Sequence, residues 1–181
     1  MHLRPLNIVS VGALDTVPDA MLRGRNTFIA TSLLDVTRAL ESSLAALGGG
    51  RRGERRDAEL AIDLVGHSTR DHQLLRLGVT VVDALDLTVL RFFESIARSG
   101  ILQEVGAACL RLLGCETAMS PSGQRTMRML ASALGIRVYG SRKRLSRMHH
   151  TELGFDPRFQ HVLVEAVERR TPWRQLSPGR A

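Results

Sequence analysis

The chain has 181 residues, 44% hydrophobic and 24% charged, which fits one globular domain and excludes a multidomain machine or a compositionally disordered chain. Its formal net charge is +7, a balance that is compatible with a nucleic-acid partner. However, Lys143 is the only lysine among 25 basic residues, and aromatic residues make up 4% of the chain, so few side chains can stack on bases. We therefore expect nucleic-acid binding to be the least favoured function.

The first apolar stretch and the cysteines indicate where the protein works. Residues 6–14 predict a buried strand rather than a signal peptide, because the stretch is short and runs directly into Asp15. No run approaches the ~18 apolar residues that a membrane span needs, so no membrane partner is expected. Cys109 and Cys115 lie too far apart along one predicted strand to form a disulfide. These features predict a cytoplasmic protein with unpaired thiols.

The first half of the chain alternates between strand and helix patterns. A helix is predicted from about residue 32 to residue 47, with its apolar residues on one stripe. Residues 48–57 follow it as a flexible, basic loop. Residues 58–66 predict a strand that is buried on both faces, and residues 74–82 predict an edge strand or a hairpin.

The second half continues the alternation. Its predicted elements are a helix capped by Asp86 and closed by Gly100, a strand at 107–114, a helix from Ser120 to Gly135, a strand at 136–139 ended by Gly140, and a last segment from Asp156 that is a helix or, in its middle, a strand. Strands that alternate with single helices predict an α/β fold, a three-layer sandwich with a mostly parallel sheet and helices on both faces. Residues 1–170 would form this single domain and residues 171–181 a C-terminal tail.

Two of the apolar strands end alike, in Gly66-His67-Ser68 and in Gly114-Cys115-Glu116. In a parallel sheet, ligands and chemistry collect at the carboxyl ends of the strands, where His67 and Cys115 would share one cleft. An ordinary thiol is mostly protonated at pH 7, and an adjacent imidazole takes its proton. The backbone N–H groups of Ser68 and Cys115 would face a developing oxyanion. The pattern therefore predicts acyl transfer.

These residues resemble the caspase-like clan of cysteine peptidases, over roughly residues 58–145. The similarity rests on Gly66-His67-Ser68, on the sequence LLGCETA at 112–118 and on VYGS at 138–141, and it is closest to CHAT-type domains and to the autoprotease domains of bacterial toxins. It implies a caspase-like fold and a cysteine endopeptidase that acts on a protein or peptide substrate. His67 would be its general acid and base and Cys115 its nucleophile, with no required cofactor and no metal.

The resemblance also implies where substrate binds. Substrate contacts are expected from Gly66, Glu116, Ser141 and Arg142, the last two because clan members build one wall of the specificity pocket after the fourth strand. Ser68 stands where many clan members carry Gly, a departure that affects one of the two oxyanion donors. Gly114 stands where metacaspases carry an acidic residue that helps to bind a basic side chain, so substrate specificity is not carried over.

The resemblance also implies how the protein would be regulated and how it would assemble. The basic cluster at residues 142–144 is a solvated surface, attracts acidic substrate residues, or binds a polyanion, since the related toxin autoproteases are activated by inositol hexakisphosphate. Caspases pair through a sheet edge, so a homodimer is one expected state. Caspase-like enzymes are often regulated by linker cleavage, which predicts autoprocessing within residues 48–57.

Two other functions stay open beside the peptidase. The chain could be a caspase-like scaffold or binding module without turnover, or a basic nucleic-acid binder. Among the remaining polar residues, Asp71 and Glu116 either are solvated or bind a basic substrate side chain. His149-His150 predicts a surface loop rather than a metal site, because only Glu152 lies at ligand spacing. Cys109 is expected to lie in the core.

Overall fold

A mixed six-stranded sheet organises the chain in the computed structural model, which describes residues 3–48 and 59–166. In sheet order its strands are β2 (Thr27–Ala30), β1 (Arg4–Ser10), β3 (Leu60–Val65), β6 (Ala107–Leu113), β7 (Arg137–Ser141) and β8 (Leu163–Glu165). Neighbouring strands are parallel except β7 and β8, which are antiparallel. Two further strands, β4 (Arg76–Leu77) and β5 (Thr80–Val81), form a separate antiparallel hairpin. The predicted α/β class with a mostly parallel sheet is confirmed.

Helical elements cover both faces of the sheet, but unequally. The α-helices are α1 (Asp19–Leu22), α2 (Leu34–Gly48), α3 (Leu87–Arg98), α4 (Ile101–Glu104) and α5 (Pro121–Leu134). Residues of α2 to α5 share one apolar core with Ile8, Leu64 and Leu112 of the sheet. The strand residues next in sequence, Val9, Val65 and Leu113, point to the opposite face. That second face is covered by α1 and by the 3-10 helices Val11–Thr16 and Pro157–Val162, which contribute a smaller core.

Several predicted helix ends follow from local hydrogen bonding. The Asp86 carboxylate accepts a hydrogen bond from the N–H of Thr88 and caps α3, as predicted. The Ser120 hydroxyl accepts one from the N–H of Gly123, and Pro121 occupies the first turn of α5. Gly135 closes α5 with a φ of 68°, a left-handed conformation that glycine adopts without strain. The residues 74–82 form the hairpin of β4 and β5, which was one of the two predicted alternatives.

Three predicted boundaries are wrong. The strand predicted at 6–14 ends at Ser10, because its neighbours β2 and β3 end at the same level, and a 3-10 helix follows. The strand predicted to stop at Gly140 continues to Ser141. A Cβ at Gly140 would lie 2.6 Å from the sulfur of Met127, so this glycine allows α5 to pack closely on the sheet rather than ending the strand. The last predicted helix is a 3-10 helix, Pro157–Val162, followed by β8.

Other expectations fall outside the described residues or concern membranes. Apart from Gly48, the predicted basic loop at 48–57 lies outside the residues that the structure describes, and so does the predicted tail at 171–181. None of the helices in the described part of the chain combines the length and the apolar character needed to cross a lipid bilayer.

A buried ion pair joins β3 to β6 at the centre of the second face. Asp63 and Arg111 are directly paired in the strand register, and their side chains are 0% and 6% exposed. Arg111 donates two hydrogen bonds to the carboxylate, at 2.5 and 2.7 Å. Burial opposes the charged guanidinium, but the adjacent Asp63 carboxylate outweighs it and holds the pKa of Arg111 above its usual range. Phe155 covers the pair: its N–H donates to Asp63, and its ring lies 5.4 Å from the Arg111 guanidinium carbon.

Removing one partner of this pair is expected to destabilise the fold strongly. Arg111→Met leaves the Asp63 carboxyl buried without its counterion and should lower the free energy of unfolding by about 3–5 kcal/mol in urea titrations. The double variant Asp63→Leu/Arg111→Met should recover most of that loss, because no charge is left unpaired. The matched control is Arg38→Met, which removes a salt bridge to Asp35 whose arginine is 73% exposed, and which should cost less than about 1 kcal/mol. Equal losses for Arg111→Met and Arg38→Met would contradict this assignment.

His150 should make stability depend on pH. This side chain is 7% exposed, and burial, followed by the charges of His149 and Arg111, lowers its pKa to about 4. Between pH 6.5 and 4 the unfolded chain binds a proton at this site and the folded chain does not, so stability is lost as the pH falls through that range. A gap of this size corresponds to about 3 kcal/mol. His150→Phe should remove that part of the slope in urea titrations at several pH values, whereas the exposed His161, changed to Phe, should leave it. An unchanged slope in His150→Phe would refute the prediction.

Candidate active site

The carboxyl ends of β3 and β6 place the predicted dyad at one edge of the sheet. Val65 and Leu113 form the last registered pair of these parallel neighbours, and His67 and Cys115 each lie two residues further along the chain. Neighbouring strands are roughly 4.8 Å apart, so equal continuation from a registered pair carries both residues to the same edge. The two strand ends predicted to lie side by side are adjacent in the structure.

Close backbone packing joins the two segments that follow these strands. A Cβ at Gly114 would lie 2.7 Å from the Ser68 hydroxyl oxygen and 2.9 Å from a methyl carbon of Leu75. Both distances are shorter than real Cβ contacts, so a side chain at position 114 would have to displace the side chains of Ser68 and Leu75, whereas glycine lets the turn before Cys115 approach the loop after His67 without that displacement. Gly66 is similarly constrained, since a Cβ there would meet the carbonyl oxygen of Arg76 at 2.2 Å. Glycine at the expected substrate-contact position 66 therefore serves the packing of the β4–β5 hairpin.

His67 is exposed and lies beside an acidic residue from a third strand end. Its Nε2 atom is 3.8 Å from a carboxylate oxygen of Asp15, which belongs to the 3-10 helix after β1. The side chains of His67 and Asp15 are 53% and 82% exposed, and the contact is an ion pair only when the imidazole is protonated. The carbonyl oxygen of His67 accepts a hydrogen bond from the N–H of Arg76, which anchors its backbone to the hairpin. The imidazole is thus accessible and its backbone is held.

The two cysteines differ in environment. Both are free thiols, Cys109 buried in β6 and Cys115 half-buried at the sheet edge. Burial raises the pKa of Cys109 to about 11, which keeps this thiol protonated and inert at neutral pH, in agreement with the expectation that it lies in the core. The Cys115 sulfur lies 3.7 Å from the carbonyl oxygen of Leu145, to which its S–H donates. No hydrogen bond joins Cys115 to His67 among the residues that the structure describes.

The amide groups of Ser68 and Cys115, which are predicted to form an oxyanion hole, differ in hydrogen bonding from the amide of Glu116. Within the described part of the chain, the N–H groups of Ser68 and Cys115 have no intramolecular acceptor. The next amide, that of Glu116, donates to the carbonyl oxygen of Lys143 at 3.1 Å and is not free. The hydroxyl of Ser68 is buried and also lacks a hydrogen-bond partner in this region. Neither of the two predicted oxyanion donors is therefore held by another group in the described part of the chain.

The other expected substrate contacts divide into surface and interior positions. Ser141 is 0% exposed, its N–H donates to the Thr117 hydroxyl, and its own hydroxyl donates to the carbonyl of Lys143, so it lies beneath the site. Arg142 is exposed, and its guanidinium donates to the carbonyl oxygen of His161 at 3.0 Å. Glu116 is half-buried and accepts a hydrogen bond from Gln73 at 3.3 Å.

A cleft of about 1050 Å³ opens beside His67. Its walls are the loop at 67–72 and the β4–β5 hairpin, whose tip is fixed by hydrogen bonds from Gly78 to the Ser10 hydroxyl and from Val79 to the carbonyl of Thr31. Its charged lining residues carry both signs and include Arg70, Arg76, Asp71, Asp83 and Asp86. Cys115 is not among the residues that line this cleft.

Three residues near the dyad were missed by sequence reasoning: Asp15, Gln73 and Leu145. Asp15 follows β1, which is the parallel neighbour of β3, and this position is the one signal in the sequence that could have placed it near His67. Gln73 and Leu145 lie in irregular segments that carry no motif. The predicted surface position of His149-His150 is correct only for His149, whose ring nitrogen accepts from the N–H of Ser146, because His150 is buried.

Comparisons with known proteins add no relative to these observations: no family model matches the chain, and no curated protein matches it. Within residues 3–48 and 59–166, no group of three or more His, Cys, Asp or Glu side chains is arranged to hold a metal ion. The functional conclusion therefore depends on the residues at the sheet edge and their geometry.

Alkylation should distinguish the two thiols. In the native protein at pH 8, iodoacetamide should modify Cys115 at least about tenfold faster than Cys109, because Cys109 is buried and its thiolate form is disfavoured. Peptide mapping by mass spectrometry after timed quenching measures both rates. Protein unfolded in guanidinium chloride is the control, where the two rates should converge. Preferential modification of Cys109 in the native protein would contradict the assignment.

Proposed function

We propose that this protein is a caspase-like cysteine endopeptidase, with Cys115 as nucleophile and His67 as general acid and base. The observation that carries the proposal is the adjacency of two glycine-led ends of parallel strands, one bearing an imidazole and the other a half-buried thiol. The α/β architecture with its mostly parallel sheet is compatible with that clan. The sequence similarity described above supplies the reaction class.

In the proposed reaction, His67 takes the proton of the Cys115 thiol as the sulfur attacks the carbonyl carbon of a peptide bond. The tetrahedral intermediate collapses when the imidazolium gives its proton to the leaving amine, and a thioester to Cys115 remains. His67 then removes a proton from water, which attacks the thioester and releases the acid product and the free thiol. No step of this mechanism requires a metal or an organic cofactor.

The backbone would stabilise the negative charge of the tetrahedral intermediate. The N–H groups of Ser68 and Cys115 follow the two strand ends and have no acceptor among residues 3–48 and 59–166. Donors that are already oriented toward a developing oxyanion lower the barrier without reorganisation, and one such donor is worth about 10²–10³ in rate. The cleft beside His67 would accept an extended peptide.

A non-catalytic scaffold or binding module of the same fold is the second candidate. It is favoured by one observation: the Cys115 thiol donates to the carbonyl of Leu145 and not to His67. In a scaffold, this contact would be permanent and the thiol would stay unactivated.

Covalent labelling separates the two functions. Wild-type protein is treated with a panel of peptidyl acyloxymethyl ketones that differ in the side chain before the reactive group, and its intact mass is measured. A peptidase should gain one adduct, which is absent in Cys115→Ala and forms at least about 100-fold more slowly in His67→Ala because the base is lost. The preferred probe identifies the side chain that the pocket accepts.

The controls are Cys109→Ala and His161→Ala, which change the other cysteine and an exposed histidine whose side chain has no part in the proposed reaction. Both should label at the wild-type rate. Absence of an adduct with every probe, or labelling that persists in Cys115→Ala, would overturn the peptidase and leave the scaffold.

A further inference from the structure

Among the described residues, the backbone is strained at two non-glycine residues in the segments that carry the candidate dyad. Among residues 3–48 and 59–166, Gln73 and Glu116 are the only non-glycine residues with positive φ, at 53° and 61°. This left-handed conformation is costly for residues with a Cβ and persists only where the surroundings impose it. Glu116 directly follows Cys115, and Gln73 lies in the loop that begins at His67.

These two strained residues contact each other. The Gln73 side-chain amide donates a hydrogen bond to the Glu116 carboxylate at 3.3 Å, across 43 positions of sequence. Each residue also lies at a turn: the N–H of Gln73 donates to the carbonyl oxygen of Thr69, and the carbonyl oxygen of Glu116 accepts from the N–H of Met119. The hydrogen bond between Gln73 and Glu116 therefore joins the two turns that contain the positive-φ residues.

A second hydrogen bond joins the same two segments. The Ser120 hydroxyl donates to the carbonyl oxygen of His72, the residue before Gln73, and also accepts from the N–H of Gly123 at the start of α5. The close approach of Gly114 to Ser68 is a third contact between them. The loop after His67 is therefore tied at both of its ends to the segment that carries Cys115.

We propose that Gln73 and Glu116 form a clamp that positions His67 against Cys115, an inference that rests on the proposed peptidase function. Both are positioning residues, since they hold the two loops and do not touch the reacting atoms. In this assignment Glu116 acts within the protein rather than on a substrate side chain. Displacement of the imidazole by about 1 Å is enough to cost up to 10²-fold in rate, so a weakened clamp should lower activity without unfolding the protein.

Variants of equal size test the clamp. Gln73→Glu places two carboxylates together, which repel when ionised but can share a hydrogen bond when one is protonated. We expect its labelling rate by the best ketone probe to fall about 10- to 100-fold relative to wild type at pH 8, and the ratio to wild type to recover toward pH 5. Glu116→Gln should lose less, because its side chain still offers an acceptor. The double variant Gln73→Glu/Glu116→Gln exchanges donor and acceptor and should restore the rate.

Three measurements make the outcome decisive. Urea titration establishes that each variant is folded, and Gln103→Glu, at an exposed position of α4, controls for the added charge. A purely structural role would reduce labelling only in proportion to the folded fraction measured at the same pH, whereas a weakened clamp lowers the labelling rate of protein that is fully folded. If wild-type labelling depends on His67 but Gln73→Glu labels at the wild-type rate, the clamp is wrong and the peptidase stands. If wild-type labelling does not depend on His67, both proposals fail.

Discussion

The register of β3 against β6 depends on the buried ion pair between Asp63 and Arg111. Most other residues of these two strands are apolar, and a shift by two positions would keep every side chain on its own face. Such a shift would place Asp63 opposite Cys109 or Leu113 and leave two buried charges unpaired, at a cost of several kcal/mol. His67 and Cys115 each follow a partner of the ion pair by four positions, so the register that joins the charges also brings the dyad level.

The same ion pair contacts the segment after β7, which contains Leu145 and packs beside the Cys115 thiol. Phe155 packs on Arg111, and the nearby carbonyl of Leu153 accepts a hydrogen bond from the Asn7 side chain in β1. These contacts fix the segment after β7 on the second face of the sheet. Leu145, whose carbonyl faces the Cys115 sulfur, lies in that segment and packs into its core. The Asp63–Arg111 ion pair therefore influences both the position of the Cys115 thiol and the segment that packs beside it.

The sequence predicts the features that depend on interactions between residues close in the chain, and it does not predict those that depend on tertiary packing. The predicted strands and helices that were confirmed carry apolar patterns and caps such as Asp86 and Ser120, which act within a few residues. β2, β8 and α1 are 3 or 4 residues long, too short for a pattern, and exist because a neighbouring strand or the second core completes them. At the site, the strand ends were predictable for the same local reason. Asp15, Gln73 and Leu145 reach the dyad only through tertiary packing, which no spacing in the sequence encodes.

The hydrogen bond from the Cys115 thiol to the carbonyl of Leu145 is weak, and this weakness matters for both candidate functions. A thiol is a weak hydrogen-bond donor, so exchanging the carbonyl of Leu145 for an imidazole costs little. In enzymes without bound substrate, catalytic hydrogen bonds are often long and tighten only in the complex, so a thiol turned to a carbonyl is compatible with a peptidase at rest. The amides of Ser68 and Cys115 have no acceptor among the described residues, and since both residues are half-buried, these amides can donate to water at rest and to an oxyanion in the proposed peptidase. The contacts of Cys115 and of these two amides therefore fit both candidate functions, which differ in the reactivity of the thiol.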